Sequence, residues 1–134
     1  GESIAVVFAP NFSPGLTMLQ SLLARLPELD DWTCSILDRH HRHKVDVPSG
    51  TALSLGKTLK SFQPTIQSFR DGGVVGEHTV NLSGEEEELQ FVHRVYSRSA
   101  FARGALLAAK FAAKAPKGFY TMADALGLGD APSR

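Results

Sequence analysis

The order of strand-like and helix-like apolar patterns most constrains how this chain can fold. A β-branched apolar run, Ile4–Phe8, indicates a buried strand. Ser13 can cap the helix that follows, with Pro14 in its first turn. The apolar residues of that helix recur at helical spacing: Leu16, Leu19, Leu22, Leu23 and Leu26. With a second strand over Thr33–Leu37, the first part of the chain predicts a strand–helix–strand unit.

In the rest of the chain, predicted strands and helices alternate less regularly, and strands are more frequent. Ser49 can cap a second helix, whose predicted inner face is Ala52, Leu53, Leu55, Leu59 and Phe62. Three strands are then predicted: Thr65–Phe69, followed by Val74–Leu82 and Leu89–Tyr96, the last two joined by the hairpin connection "SGEEE". An Ala-rich helix over Ser99–Ala115, one more helical turn over Phe119–Leu126 and a frayed end, "GLGDAPSR", complete the prediction.

This order predicts an α+β fold built as an α/β layer: a mixed sheet of about four to five strands with helices on one face. With 134 residues, the chain is expected to form a single domain over residues 1–134. One face of Leu89–Tyr96 carries Gln90, Val92, Arg94 and Tyr96 and is neither clearly polar nor clearly apolar. That face fits contact with another subunit as well as it fits an amphipathic face in solvent.

Composition narrows the class of protein. The formal net charge is zero and the apolar fraction 43%, which argues against general nucleic-acid binding and against disorder. The longest apolar runs are far below the roughly 20 residues of a membrane span, and the first residues lack the basic region of a signal peptide. Cys34 is the only cysteine, so no internal disulfide is expected and a reducing cytoplasm is the expected compartment.

A basic, histidine-rich segment, Arg39–Val47, is predicted to be a loop at the end of the second strand. Three interpretations are open. His40, His41 and His43 could bind a metal ion, but two arginines and a lysine within the segment disfavour a dication, so no metal is expected. The segment could be a solvated basic loop. It could also bind an anion and protonate it.

The third interpretation depends on the helix start that follows the loop. A helix N-terminus presents unpaired N–H groups and a partial positive charge, which favour carboxylates and phosphates. Gly50 lets the backbone approach a ligand closely and Thr51 adds a hydroxyl. Lys44 adds a full charge, and a histidine can deliver a proton near neutral pH. Together these groups could hold a small acidic molecule and protonate it.

The stretch "DRHHRHKVDVPSGTAL", Asp38–Leu53, resembles the signature of the 4-hydroxy-tetrahydrodipicolinate reductase (dihydrodipicolinate reductase) family of lysine and diaminopimelate biosynthesis. Every position of the family pattern, an acidic residue, a spacer and H-H-R-H-K-x-D-x-P-S-G-T-A, matches from Asp38 to Ala52. Further similar segments are "VVFAPNFSPG" (Val6–Gly15), "GEHTV" (Gly76–Val80), "SRSAFARGAL" (Ser97–Leu106) and "GFYTMADALGL" (Gly118–Leu128). The resemblance therefore covers nearly the whole chain.

The resemblance implies an oxidoreductase that uses NADPH or NADH and acts on a small cyclic dicarboxylate, as a cytoplasmic homotetramer without nucleic-acid or membrane partners. It implies that His40 and Lys44 are catalytic proton donors. The implied substrate-binding residues are His41, Lys44, Gly50 and Thr51. The implied contacts with the nicotinamide end of the cofactor are Ala9, Pro10, Asn11 and Phe12.

The chain also departs from the family pattern. Family members begin with a Rossmann-type dinucleotide-binding domain, and no Gly-rich strand–turn–helix occurs in this sequence, so the chain resembles the substrate-binding and oligomerisation domain and is expected to be inactive in isolation. The segment Ser61–Val75 is shorter than is usual. A non-catalytic dicarboxylate-binding or assembly module derived from that domain is the alternative. His78, His93, Trp32 and Cys34 are interpreted as structural, and the Glu85–Glu88 run as a solvated turn.

Overall fold

The computed structural model describes residues 3–129, which form two compact units. One unit is residues 23–96, and the other combines residues 3–22 with residues 97–129. The helices and strands, in chain order, are β1 (Ala5–Val7), α1 (Pro14–Leu23), β2 (Thr33–His40), α2 (Gly50–Thr58), a 3₁₀ turn (Lys60–Phe62), β3 (Thr65–Arg70), β4 (Gly76–Ser83), β5 (Glu88–Val95), α3 (Ser99–Ala112), β6 (Gly118–Tyr120) and α4 (Met122–Ala125). The last five residues of the expected frayed end lie outside the described range.

The unit formed by residues 23–96 contains a four-stranded mixed sheet in the order β3-β2-β4-β5. Strand β2 is parallel to β3 and antiparallel to β4, and β4 and β5 form the predicted hairpin. The fully buried residues of the sheet and of the helix α2 include Ile36, Val80, Leu55 and Leu59. The predicted fold class, a mixed sheet with helices, is therefore confirmed. The short segment Ser61–Val75 supplies the edge strand β3.

The other unit contains the parallel pair β1-β6 and the helices α1, α3 and α4. Helix α3 contacts both β1 and α4, and the Phe111 and Tyr120 rings meet edge to face with their centroids 5.1 Å apart. A β-carbon at Gly104 in α3 would overlap the carbonyl oxygen of Phe12, so only glycine allows the helix to lie this close to the segment after β1. In the described part of the chain, no helix is long and apolar enough to cross a membrane.

Two sequence predictions about local structure were wrong. Arg39 and His40 were expected in a loop, but β2 continues through both, because each is paired in register with β3 and Arg39 also forms a 2.9 Å ion pair with Asp71. Phe119 was expected in a helical turn, but it lies in β6, which pairs with β1 from the other end of the chain. Gly118–Tyr120 lacks the β-branched apolar run that indicates β1, so only its distant partner defines it as a strand.

The structural interpretations of single residues have mixed outcomes. Cys34 is buried as expected, and burial raises the pKa of its thiol to about 11. Glu85–Glu87 are exposed in the β4–β5 turn, as expected for a solvated run, whereas Glu88 begins β5. Trp32 lies against Gly84, where an added β-carbon would come within 3.0 Å of the indole. His78 is buried, but it takes part in the polar cluster described next.

Candidate active site

The core face of β2 ends in two polar residues. Exposed and buried residues alternate along the strand, and Cys34, Ile36, Asp38 and His40 occupy the buried positions. Asp38 is fully buried and His40 is 9% exposed. The strand register places Ser68 of β3 and His78 of β4 on either side of Asp38. A carboxylate in this position must be satisfied by its neighbours, because water does not reach it.

One carboxylate oxygen of Asp38 binds donors from three parts of the unit. Oδ2 accepts hydrogen bonds from the Ser49 backbone N–H at 2.8 Å, the Ser68 hydroxyl at 3.0 Å and Arg70 Nη2 at 3.0 Å. Arg70 also donates to the carbonyl oxygens of Asp46 and Phe69. The carboxylate therefore joins β2 to β3 and to the start of α2.

The other carboxylate oxygen faces two imidazole rings. Asp38 Oδ1 lies 2.8 Å from His40 Nδ1 and 3.2 Å from His78 Nε2. His78 Nε2 is also 3.1 Å from the Ser49 hydroxyl oxygen, and the two rings meet edge to face with centroids 5.1 Å apart. Ser49 is thus in contact with both the carboxylate and one of the histidines.

The charges of this cluster follow from burial and hydrogen bonding. Burial raises the pKa of Asp38, but the donors from Ser49, Arg70 and Ser68 outweigh burial and hold that pKa far below its ordinary value, so the carboxylate is ionised. Burial lowers the pKa of His40, an effect that Asp38 opposes and that Lys44 and Arg70 reinforce. Burial lowers the pKa of His78 to about 4, so His78 is neutral at neutral pH.

The low pKa of His78 predicts that the fold loses stability in mild acid. Below about pH 6.5 the unfolded chain binds a proton at His78 that the folded chain does not bind until about pH 4. We expect the free energy of unfolding to fall by about 3 kcal/mol across that window through His78, with His40 and His93 acting in the same direction. Urea denaturation at a series of pH values measures the slope.

The matched variants for this prediction are His78→Gln, which should flatten the slope, and His43→Gln in the exposed loop, which should leave it as in the parent chain. An unchanged slope in His78→Gln would assign the acid sensitivity to other groups.

The basic loop connects this cluster to helix α2. Lys44 Nζ forms a 3.0 Å ion pair with Asp46 Oδ1, and the Lys44 N–H donates to the His41 carbonyl in a tight turn. Hydrogen bonding from Lys44 is the main cause that lowers the pKa of Asp46, and the Gly50 backbone is a smaller one. The ammonium of Lys44 and the start of α2 therefore already share one carboxylate, that of Asp46.

Helix α2 begins at an exposed glycine, Gly50, beside the Asp46 carboxylate. Ser49 is the N-cap and its hydroxyl accepts a hydrogen bond from the Ala52 N–H at 3.1 Å. A β-carbon built at Gly50 would meet nothing within 4 Å, and Thr51 is half-buried. The first-turn N–H groups of Gly50 and Thr51 have no acceptor within the helix itself. The backbone at Gly50 is therefore not screened by a side chain of its own, and whether Gly50 and Thr51 bind a ligand stays a prediction.

The predicted cofactor segment lies in the other unit and is described by itself. Ala9–Phe12 follows β1 and leads into α1; the Asn11 side chain accepts a hydrogen bond from the Ser13 N–H at 2.7 Å, and the Ser13 hydroxyl accepts from the Leu16 N–H at 3.1 Å. Ala9, Asn11 and Phe12 are half-buried and Pro10 is exposed. The segment is ordered by its own hydrogen bonds and by Gly104.

The histidines suggested as metal ligands do not come together. His41 and His43 are 6.3 Å apart by ring centroids, on the loop, whereas His40 turns towards Asp38. Among residues 3–129, Asp38, His40 and His78 do place one ligand atom each within 4.8 Å of one another. The guanidinium of Arg70, whose side chain is 12% exposed, lies 3.0 Å from the same carboxylate, however, and balances its charge. The cluster is therefore accounted for as a hydrogen-bonded ion-pair network.

Comparisons with known proteins show the family of this chain. A family model described as "Dihydrodipicolinate reductase, C-terminus" matches residues 15–126. This chain belongs to that family. A curated relative from Xanthomonas euvesicatoria pv. vesicatoria, named 4-hydroxy-tetrahydrodipicolinate reductase, is 48% identical over 126 residues, which are 92% of this chain and 53% of the relative. A relative of the same name from Thermosipho africanus is 45% identical over 92% of this chain and 57% of its own length.

A solved structure gives the same fold for the dihydrodipicolinate reductase family. It is described as dipicolinate-bound dihydrodipicolinate reductase from Paenisporosarcina sp. TG-14, and it superposes with a TM-score of 0.75 at 19% identity, covering 86% of this chain and 52% of that one. The chain thus spans about half the length of the dihydrodipicolinate reductases that it matches.

Sequence reasoning missed four members of the site in this dihydrodipicolinate reductase domain. They are Asp38 as a buried acceptor, Ser68, Arg70 and His78. The alternation of buried and exposed residues in β2 could have predicted that Asp38 is buried. Cys34 and Ile36 occupy buried positions, and the same alternation continues through Asp38 and His40. Ser68, Arg70 and His78 lie on other strands, and only the sheet register brings them to Asp38.

Proposed function

We propose that this chain is the substrate-binding part of a 4-hydroxy-tetrahydrodipicolinate reductase in lysine and diaminopimelate biosynthesis. The observation that carries the proposal is the placement of His40 beside a buried, ionised Asp38 at the end of β2. Ser49 connects that carboxylate to the first turn of α2, where Gly50 and Thr51 can bind an anion. The Asp38 side chain therefore holds both the proposed proton donor, His40, and the start of the proposed anion-binding helix, at Ser49.

The reaction needs one acid from the protein. In the proposed reaction the cyclic dicarboxylate loses one water molecule and gains a hydride and a proton, giving 2,3,4,5-tetrahydrodipicolinate. The nicotinamide cofactor, when bound, supplies the hydride, which is two electrons and one hydrogen nucleus. We assign delivery of the proton to His40, with Lys44 as a second donor. Lys44, His41, Gly50 and Thr51 would bind the carboxylates through charge-assisted hydrogen bonds.

The described residues fit one end of a nicotinamide cofactor and not the whole of it. The ordered, partly exposed backbone of Ala9–Phe12 at the carboxyl end of β1 suits contact with a planar ring. The strand-to-helix turns between β1 and α1 and between β2 and α2 contain no glycine, so neither can cradle a pyrophosphate. We propose that a separate dinucleotide-binding domain carries NADPH or NADH.

We also propose that the complete reductase is a cytoplasmic homotetramer. Strand β5 is an edge of the four-stranded sheet, and it exposes Leu89 and Val92 by 48% and 46%. Phe69, on the opposite edge strand β3, is 48% exposed. Exposed apolar side chains along unpaired strand edges favour association with another copy of the sheet.

The proposed carboxylate site predicts binding of pyridine-2,6-dicarboxylate by the chain alone. We expect a dissociation constant on the order of millimolar, because no second domain closes over the ligand. In an NMR titration the Gly50 and Thr51 amide signals should shift. Lys44→Ala should abolish most of the binding, and Asp46→Asn should strengthen it, because it removes the carboxylate that now pairs with Lys44.

The control for this titration is Lys57→Ala, which removes an exposed lysine at the far end of α2 and should bind like the parent chain. Unmoved Gly50 and Thr51 signals at saturating ligand, or equal binding by Lys44→Ala, would refute the proposed site.

The proposed division of labour predicts no reductase turnover by the chain alone. Fusion to the N-terminal half of the Xanthomonas relative should restore NADPH- or NADH-dependent turnover, followed by the loss of absorbance of the reduced nicotinamide. In the fusion, His40→Gln should lower kcat by about 10²–10⁴-fold with a smaller change in KM. A folded fusion that binds the dicarboxylate but never turns over would favour the non-catalytic binding module instead.

A further inference from the structure

We propose that Asp38 is the positioning residue for His40: its Oδ1 atom keeps the hydrogen of the neutral ring on Nδ1, so that the proton exchanged with substrate is carried by Nε2. The role of that proton rests on the proposed function, but the tautomer itself does not.

The first support is the unequal use of the two carboxylate oxygens. Three donors hold Oδ2, from Ser49, Ser68 and Arg70, so the carboxylate cannot rotate without breaking all three bonds. Oδ1 and His40 Nδ1 are both buried and neither makes an in-line hydrogen bond with the described residues, yet the two atoms lie 2.8 Å apart. The fixed Oδ2 thereby fixes Oδ1 against the ring.

The second support is the charge of the carboxylate. An ionised carboxylate can only accept hydrogen, so a ring nitrogen 2.8 Å away is favoured when it carries one. A neutral His40 therefore holds its hydrogen on Nδ1 and its lone pair on Nε2. When Nε2 gains a proton, the imidazolium that forms faces the same anion and is stabilised by it.

The third support is the opposite edge of the ring. Nδ1 is buried, so the remaining exposure of the side chain, 11%, belongs to the other ring atoms. A β-carbon at Gly76 would come within 3.2 Å of His40 Nε2 and 3.4 Å of Cδ2. A side chain at this position of β4 would therefore crowd the Nε2 edge, and glycine avoids that contact.

The charges around His40 explain why a protonated ring needs the Asp38 carboxylate. His40 is affected by Asp38 on its own strand, by Arg70 on β3, by His78 on β4 and by Lys44 in the loop. His78 is neutral, so Asp38 is the anion that offsets two cations. Without the negative charge of Asp38, burial and the cations Lys44 and Arg70 would all disfavour the protonated form of His40.

Asp38→Asn tests the proposal, because it retains the shape of the side chain and changes only charge and donors. The amide oxygen is expected to take the place of Oδ2, which binds three donors, and the amide NH₂ then faces Nδ1 of His40. Nδ1 must become the acceptor, so the hydrogen of the neutral ring moves to Nε2. The protonation midpoint of His40 should fall at the same time, since an anion has been removed.

The measurement is a two-bond ¹H–¹⁵N correlation spectrum of the histidine rings, which distinguishes the two tautomers, recorded across a pH titration of the 134-residue chain. We expect the Nδ1–H form in the parent chain, the Nε2–H form in Asp38→Asn, and no change in Asp71→Asn, where an exposed carboxylate beside Arg39 is neutralised. Ser68→Ala, which removes one donor and keeps the charge, should retain the Nδ1–H form.

The parent spectrum alone can overturn the proposal, even if Asp38→Asn does not fold: an Nε2–H tautomer for His40 in the parent chain is incompatible with it. So is an unchanged tautomer in a folded Asp38→Asn chain. A correct tautomer in a chain that fails to bind the dicarboxylate would leave the positioning role intact and remove the proposed function. In the active fusion, Asp38→Asn should lower kcat by about 10²–10⁴-fold.

Discussion

Asp38→Ala is expected to reduce the free energy of unfolding by about 3–5 kcal/mol, the usual effect of removing one member of a buried ion pair. The substitution leaves the largely buried Arg70 guanidinium, 12% exposed, without its anion and removes the acceptor of the Ser49 N–H and the Ser68 hydroxyl. Urea denaturation followed by Trp32 fluorescence measures the loss, because Trp32 lies in the same compact unit.

A double-mutant cycle separates the unpaired charge from the lost packing. Arg70→Met alone should also destabilise, but Asp38→Ala combined with Arg70→Met should be less destabilising than the sum of the two, since the double variant holds no unpaired ion. Asp71→Ala, which breaks an exposed pair with Arg39, should change stability little. Additive effects at Asp38 and Arg70 would mean that the pair does not couple.

Gly104→Ala is expected to destabilise the other unit by about 3 kcal/mol or more, at the upper end of the effects of overpacking. The added methyl group would overlap the Phe12 carbonyl oxygen and also come within 3.2 Å of Pro14 Cδ. The first of these is a backbone atom, so no change of rotamer relieves the clash. Either α3 must move away from the segment after β1, or Ala9–Phe12 must shift.

Thermal or urea unfolding followed by far-ultraviolet circular dichroism measures this effect. Gly73→Ala is the matched control, because a β-carbon there meets nothing within 4 Å, and its stability should stay near that of the parent chain. In the fusion reductase, Gly104→Ala should also raise KM for the nicotinamide cofactor, if Ala9–Phe12 touches it. A stability change below about 1 kcal/mol would show that the segment yields freely.

Local patterns predicted most of the fold of this chain, and the failures share one cause. Strand β1, helix α1 and the β4–β5 hairpin each have their own periodicity or turn signal within a few residues. Strand β6 has none, because its three residues become a strand only by pairing with β1. The end of β2 looked like a loop because Arg39 and His40 are polar, whereas cross-strand partners stabilise both residues.

The site was predictable to the same extent. The motif around His40 and Lys44 is contiguous, so the family resemblance and the proposal of a proton donor beside a helix start both rest on one stretch of sequence. Arg70, which balances the charge of Asp38, and His78, which contacts the same carboxylate, come from later strands, and their positions depend on a register that no local pattern encodes.

The pairing of β1 with β6 also affects the order in which the two units can fold during synthesis. Ala5 pairs with Gly118, so β1 can pair only after every residue between β1 and β6 has been synthesised. Residues 23–96 form a contiguous unit and can complete their sheet while the rest of the chain is still being made. Until β6 is made, the apolar β1 lacks the partner strand that it has in the folded unit, and an unpaired strand edge favours association with other chains.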